Sequence, residues 1–213
     1  MKHIAKGSEP EFFLEFKQGE SPDWQPSYAA LCDDVRVRKE LKEALIAEQG
    51  WLCCYCCRRI EAVTSHFEHL SSQDENPQLD LEYSNLLASC DSEGPHRHCG
   101  ARKSNRRIEI TPLQPDCEKY FSFDLLGSVA ANPPSSSRAE ATIELLGLNQ
   151  PLLRESRRQS IVGFTDNIDQ LSNIEIETLM RNLEQRDFNG KFEPFQPAIL
   201  QALAVFAATP QGS

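Results

Sequence analysis

The chain has 213 residues, a mass of 24.1 kDa and a net charge of −10, from 22 Lys and Arg against 32 Asp and Glu. This is the size of one domain, or of one small domain with an extension. Hydrophobic residues at 39% and charged residues at 25% exclude a disordered tail, and no apolar run approaches the roughly 18 residues of a membrane span. The acidic balance argues against a general polycationic coat for nucleic acid and leaves room for a local basic site.

The opening MKHIAKGSEP lacks the apolar stretch of a signal peptide, so a cytoplasmic protein without membrane contact is the expectation. Residues 1–34 read as a polar arm with Phe12, Phe13, Phe16, Trp24 and Tyr28 interspersed, extended with a short helix, and as a possible docking segment for a partner. From Val35 to Gln49 the apolar positions Val37, Leu41, Ala44 and Leu45 recur at helical spacing, and Gly50 stands where a left-handed residue would close the helix.

Residues 51–110 hold nearly all the cysteine and histidine. Without a secretory signal, reduced clustered thiols read as metal ligands and not as disulfides. Cys53-x-x-Cys56 has the spacing of half a zinc knuckle, Cys54-x-x-Cys57 offers the other register, and Cys90 and Cys99 supply a second pair. His96 and His98 could replace either cysteine of that second pair. Buried thiols packing as small hydrophobes are the competing reading. No βαβ pattern surrounds the motif, which weakens a thioredoxin-like reading.

Between the pairs lies Ser65-His66-Phe67-Glu68-His69-Leu70. In an extended segment, alternation puts Glu68 on one face with His66, and His69 on the other with Phe67. Glu68 is a hard oxygen ligand suited to Mg²⁺ or Mn²⁺. His69 is a general base for near-neutral pH. Together they suggest metal-assisted phosphodiester hydrolysis, although such a string also fits a plain polar strand. The order of motifs fits neither a zinc deaminase, which wants Pro-Cys-x-x-Cys downstream of His-x-Glu, nor a zincin with His-Glu-x-x-His. Arg97, Arg102, Lys103, Arg106 and Arg107 fall together around the second cysteine pair and form the expected nucleic-acid backbone site, to which Arg58 and Arg59 could add.

Residues 35–131 therefore read as a catalytic core and 132–213 as a helical C-terminal region, entered through the loop Asn132-Pro133-Pro134-Ser135-Ser136-Ser137. Ile161, Phe164, Ile168 and Leu171 form one apolar stripe, Ile176, Leu179, Met180 and Leu183 another, and Ala198 to Ala207 a third helix. These stripes are core candidates and, alternatively, docking faces.

The order Cys53/Cys56, Glu68-His69, Asn85-Leu86, Cys90/Cys99 and Lys103 resembles the HNH, or ββα-metal, endonucleases. The strings MKHIAKGSEPEFF, EQGWLCCYCCRRI, HFEHL, YSNLLASC, HCGARKSN, LQPDCEKYFSFDLLG and ATIELLGLNQPLLRESR are more specifically similar to the HNH proteins of Septu and retron anti-phage systems (PtuB-like), over most of residues 1–158. The resemblance implies an α+β fold, a zinc-braced ββα-metal core embedded in a mainly helical chain. It implies His69 as the base that activates water, Glu68 as the acidic ligand of a catalytic Mg²⁺ or Mn²⁺, and Asn85 as the brace of the loop bearing the base. Cys53, Cys56, Cys90 and Cys99 become the ligands of a structural Zn²⁺.

The chain departs from the pattern at Gly100, where HNH enzymes often carry His or Asn. A further ligand is then sought in His98, His96 or Asn105, with His98 the choice; His66 is a ligand or a plain strand residue, with the plain reading preferred. The implied function is a toxic endonuclease effector, acting on DNA more than RNA. Its implied partners are an SMC-like or ABC-type ATPase and, in the retron form, a reverse transcriptase and its reverse-transcribed DNA. The alternative is a zinc-stabilised binding module, for nucleic acid or protein, with an inactive site.

Overall fold

The computed structural model describes residues 1–19, 21 and 24–208. The parts of the 1–34 and 132–213 segments at residues 20, 22–23 and 209–213 lie outside the described residues.

The N-terminal residues run extended along the body. The Ile4 N–H donates to the Pro112 carbonyl at 2.8 Å, the Gly7 N–H donates to Glu48, and Met1 and Ile4 are buried. Helix α1 (Glu11–Gln18) then buries Phe13, so the aromatic arm contributes to the core. Helix α2 (Tyr28–Asp33) is capped by Ser27 and helix α3 (Val35–Glu48) by Asp34, whose side chains accept the Ala30 and Val37 N–H groups. Helix α3 buries Val37, Leu41, Leu45 and Ile46, the face expected from their spacing. It closes as the sequence predicts. Gly50 takes φ +63°, Trp51 N–H reaches the Ile46 carbonyl and Gly50 N–H the Ala47 carbonyl. A Cβ on Gly50 would stand 2.3 Å from the Phe192 ring, so this turn requires glycine.

Strand β1 (Ser65–His69) pairs antiparallel with β2 (Leu86–Cys90), with His66 opposite Ser89 and Glu68 opposite Leu87. Strand β2 is buried along its whole length and packs against α3 and against the short helix α4 (Cys99–Lys103). The Gln49 side chain, at the end of α3, substitutes for a neighbouring strand. Its Nε2 donates to the Leu52 and Ala88 carbonyls at 2.8 Å, and its Oε1 accepts the Ala88 N–H at 2.7 Å. Each of these backbone groups is out of reach of water and needs such a partner.

A second pair, β3 (Phe121–Phe123) with β4 (Val129–Ala131), was not anticipated from sequence; three-residue strands are too short to show alternation. Helices α5 (Ser137–Leu146), α6 (Pro151–Thr165), α7 (Asn173–Leu183) and α8 (Gln196–Ala207) complete an α+β architecture. Ser136 caps α5, Pro151 opens α6, and Ser172 with Glu175 forms a capping box on α7.

Two apolar clusters result. The larger runs from Met1 to Phe195 and includes Cys53, Cys56, Cys90 and Cys99 with residues of β1–β2, α3 and α5. The smaller gathers Ile161, Ile168, Ile176, Leu183, Ile199 and Leu203. The amphipathic stripes of the C-terminal helices are thus spent on internal packing and are not free docking faces, because a helix gains most of its stability by burying such a stripe. The first stripe is also not one helix. Helix α6 ends at Thr165, Asn167 turns at φ +62°, and Ile168 enters the core from a single 3-10 turn. Arg157 of α6 is 2% exposed and donates to the Gly127 and Leu148 carbonyls, tying the helix to the β3–β4 connection. Among the described residues no helix is long and apolar enough to cross a membrane.

Candidate functional site

The Cys53–Cys57 segment folds as a tight knuckle. The Cys53 N–H donates to the Arg58 carbonyl at 2.8 Å, the Cys57 N–H returns to the Cys53 carbonyl at 3.1 Å, and Cys57 takes φ +63°. This throws the Sγ atoms of Cys53 and Cys56 to one side, where Cys90 at the end of β2 and Cys99 at the start of α4 meet them. The four sulfurs lie within 4.8 Å of one another, all buried. The Cys56–Cys90 separation is 3.8 Å. That matches the edge of a tetrahedron with metal–sulfur bonds of about 2.3 Å. The Cys90 N–H donates to Cys53 Sγ at 3.3 Å, a contact that suits a thiolate. Burial pushes the Cys99 thiol well up, and it works against ionisation of Cys53 as well. There the neighbouring S–H donors, Cys54, Cys56, Cys90 and Cys99, outweigh it and hold Cys53 well below its ordinary value. A cation among these buried sulfurs would compensate for the charge of their thiolates. This donor set could hold a zinc ion, and the register is Cys53/Cys56, not Cys54/Cys57.

Beside this centre, β1 presents His66 and Glu68 on one face, as alternation requires. Glu68 is 5% exposed. Its Oε1 accepts from Tyr55 Oη at 2.9 Å and pairs with Lys103 Nζ at 2.8 Å, and its Oε2 stands 3.8 Å from His66 Nε2. The other ring nitrogen of His66, Nδ1, is 2.8 Å from Asp91 Oδ1. Burial alone would depress the His66 pKa, but the two carboxylates overcome it and hold the pKa above its ordinary value.

His69, at the end of β1, has Nε2 3.0 Å from the Asp80 carbonyl and its ring edge-to-face with Tyr28 at 4.8 Å. Burial pulls its pKa down, so the neutral imidazole dominates at pH 7. Asn85 sits under the loop that carries Asp80. Its Oδ1 accepts the Ser71 N–H at 2.7 Å, and its Nδ2 donates to the Ser71 and Leu79 carbonyls at 3.1 Å.

Two expected positions are corrected. His98 does not face Glu68: its Nε2 is 3.7 Å from Cys90 Sγ, at the cysteine cluster. The residue that does face Glu68 is His66, and the i, i+2 spacing on a strand was the signal that pointed there. Lys103 does not belong to the surface patch. It is 1% exposed, because α4 turns it inward onto Glu68 and onto the His69 carbonyl at 2.9 Å. Arg97, Arg106 and Arg107 are exposed, while Arg102 lies half-buried with its stem against Gly147. A surface cleft lined by Leu70, Ser71, Arg107 and Arg138 adjoins the end of β1.

No family model matches the chain. A curated relative from Vibrio cholerae serotype O1 biovar El Tor, named as a candidate HNH endonuclease of retron Vc95, is 32% identical over 133 residues. That match takes in 59% of this chain and 65% of the relative, so the chain spans just under two thirds of that protein. A second relative, named as a candidate HNH endonuclease of retron Ec83 from Escherichia coli, is 26% identical over 217 residues, covering 78% of this chain and 81% of its own length. The chain is similar to retron HNH proteins. The names of both relatives are those of nucleases.

Proposed function

We propose that the chain is a metal-dependent HNH endonuclease that hydrolyses phosphodiester bonds, DNA more than RNA. The observation that carries this reading is the position of His69 and Glu68 on one strand, in a strand–strand–helix unit whose second strand and helix each supply a cysteine to one four-sulfur centre. The similarity to two retron proteins named for HNH endonuclease activity supports it.

In this mechanism Cys53, Cys56, Cys90 and Cys99 would hold a structural Zn²⁺. Glu68 would hold a catalytic Mg²⁺ or Mn²⁺, which would supply charge neutralisation at the scissile phosphate. His69 Nε2 must carry the proton, since its partner is a carbonyl, and this leaves Nδ1 with a free lone pair. Nδ1 removes a proton from a water whose oxygen bonds to phosphorus as the scissile P–O bond breaks. The leaving oxygen takes a proton from solvent. Asn85 keeps the Asp80 carbonyl, and so the His69 tautomer, in position. Lys103 acts from behind, neutralising one oxygen of Glu68.

Phosphates approach over Arg97, Arg102, Arg106 and Arg107. Exposed and without a hydrogen bond or ion pair among the described residues, Arg97 and Arg107 are the free cations of this group. Replacing both with alanine is expected to weaken DNA binding uniformly across sequences and to reduce the slope of log affinity against log salt by about 1 per residue. Fluorescence anisotropy across a salt series reads this; an unchanged slope moves the binding face elsewhere.

With a charge of −10, the isolated chain binds a polyanion weakly, so affinity is assigned to partners: an SMC-like or ABC-type ATPase and, in a retron, the reverse transcriptase with its DNA. The system is read as cytoplasmic anti-phage defence. The experiment is nicking of circular DNA by zinc-loaded chain, alone and with the co-expressed ATPase. Cleavage that needs added Mg²⁺ or Mn²⁺ and stops with chelator is the expected result. The burial of Glu68 against Lys103 favours the competing reading, a zinc-stabilised binding module with an inactive site. DNA binding without cleavage under all these conditions would establish it instead.

A further inference from the structure

We propose that His66, together with Glu68, forms a two-ligand site for a divalent transition-metal ion, Mn²⁺ in preference to Mg²⁺, with Asp91 orienting the imidazole. Three observations converge on it. First, Asp91 Oδ1 lies 2.8 Å from His66 Nδ1, and a carboxylate can only accept. Nδ1 therefore carries the hydrogen, and in the neutral ring Nε2 is a bare lone pair. Second, that lone pair faces Glu68 Oε2 at 3.8 Å. The separation is too long for a direct hydrogen bond, so a proton on Nε2 is held there by charge attraction alone and a cation can replace it. Two metal–ligand bonds of about 2.1 Å can span it.

Third, the surroundings are built for this convergence. Glu68 Oε1 is already engaged by Tyr55 Oη and Lys103 Nζ, which leaves Oε2 as the one oxygen available. Gly100 closes the back. A Cβ there would stand 2.1 Å from Glu68 Oε2 and 2.6 Å from His66 Nε2, so no larger residue fits while both side chains keep their places. The Gly100 N–H is held by Ser89 Oγ at 3.0 Å, and Ser89 is the cross-strand partner of His66. On the other side, His66 is 34% and Asp91 50% exposed at their side chains, which provides a path for a hydrated ion. A carboxylate behind an imidazole fixes ring orientation and raises its basicity toward a metal. One nitrogen with one oxygen suits Mn²⁺ better than Mg²⁺, which prefers oxygen ligands throughout. The missing second ligand of the sequence analysis is thereby supplied from β1 and not from α4.

The inference rests on the nuclease reading only for what the ion does; binding is tested without it. The zinc-loaded chain is titrated with Mn²⁺ and the free aquo-ion followed by electron paramagnetic resonance, with Mg²⁺ as competitor. The expected result is one Mn²⁺ per chain, displaced only by excess Mg²⁺. His66→Ala should weaken binding at least tenfold. Asp91→Asn, at a half-exposed side chain and so safe for folding, should weaken it about tenfold, the usual cost of losing an orienting partner. Zinc content and circular dichroism verify the fold of each variant. Unchanged Mn²⁺ affinity in a folded His66→Ala protein, or no Mn²⁺ uptake by the parent chain, overturns the proposal. Mn²⁺ bound through His66 but without cleavage of nucleic acid would retain this site and reject the nuclease; cation-dependent cleavage with unchanged binding in His66→Ala would do the reverse.

Discussion

Removal of the metal from the four-thiolate centre is expected to unfold the middle of the protein, not merely to loosen a loop. Each ligand stands at a structural junction. Cys53 and Cys56 lie in a knuckle with little regular structure, Cys90 ends β2, and Cys99 begins α4. The knuckle has only a few backbone hydrogen bonds of its own, and a five-residue helix is far below the length at which helices persist alone. A structural zinc site is worth about 10–16 kcal/mol of apparent binding free energy at neutral pH. This is as large as the roughly 5–15 kcal/mol by which whole domains are stable. Loss of the metal would release α4, and with it Lys103 and Gly100 from their contacts with Glu68 and His66.

Elemental analysis is expected to find about one Zn²⁺ per chain, the content of a single closed four-cysteine site. A strong chelator under reducing conditions should abolish the cooperative thermal transition. Cys99→Ser should lose both zinc and transition, while Cys32→Ser, at a half-buried thiol outside the cluster, should keep both. A folded Cys99→Ser protein without zinc would show that apolar packing alone holds the centre together.

His69→Ala is expected to remove cleavage while leaving the fold intact. A positioned general base contributes about 10²–10⁴-fold in rate, and the variant should fall by that factor or to background. The fold should survive because His69 is half-buried at the end of β1, and its partners are one carbonyl and one ring. Its zinc content should match the parent, in contrast with Cys99→Ser. Asn85→Ala should be slower than the parent but faster than His69→Ala, because Asn85 acts through the loop that presents the Asp80 carbonyl. Plasmid nicking at saturating cation measures all three. Full activity in His69→Ala would move the base to another residue, and a misfolded variant would appear as lost zinc and a lost thermal transition.

Much of this architecture is legible in the residues because it depends on local rules. Helix α3 follows from apolar spacing and a closing glycine, the faces of His66 and Glu68 from the two-residue period of a strand, and the thiol centre from Cys-x-x-Cys with a distant pair. Local rules cannot say which way a short helix turns. Lys103 read as a surface cation among arginines, and only the packing of α4 against β2 turns it inward, where the buried Glu68 carboxylate requires a counter-charge. The sequence favours His98 over His66 as a ligand. Their assignment depends on which side of β2 each approaches, so His98 joins Cys90 and His66 meets Glu68. The helical stripes of the C-terminal half announced burial without naming what buries them; the smaller apolar cluster made by α6, α7 and α8 supplies that. Periodicity therefore determined helix α3 and the shared face of His66 and Glu68, while strands β3 and β4 were too short for it to show. Tertiary structure alone decided that Lys103 pairs with the buried Glu68, because that pairing depends on the distance between residues far apart in the chain.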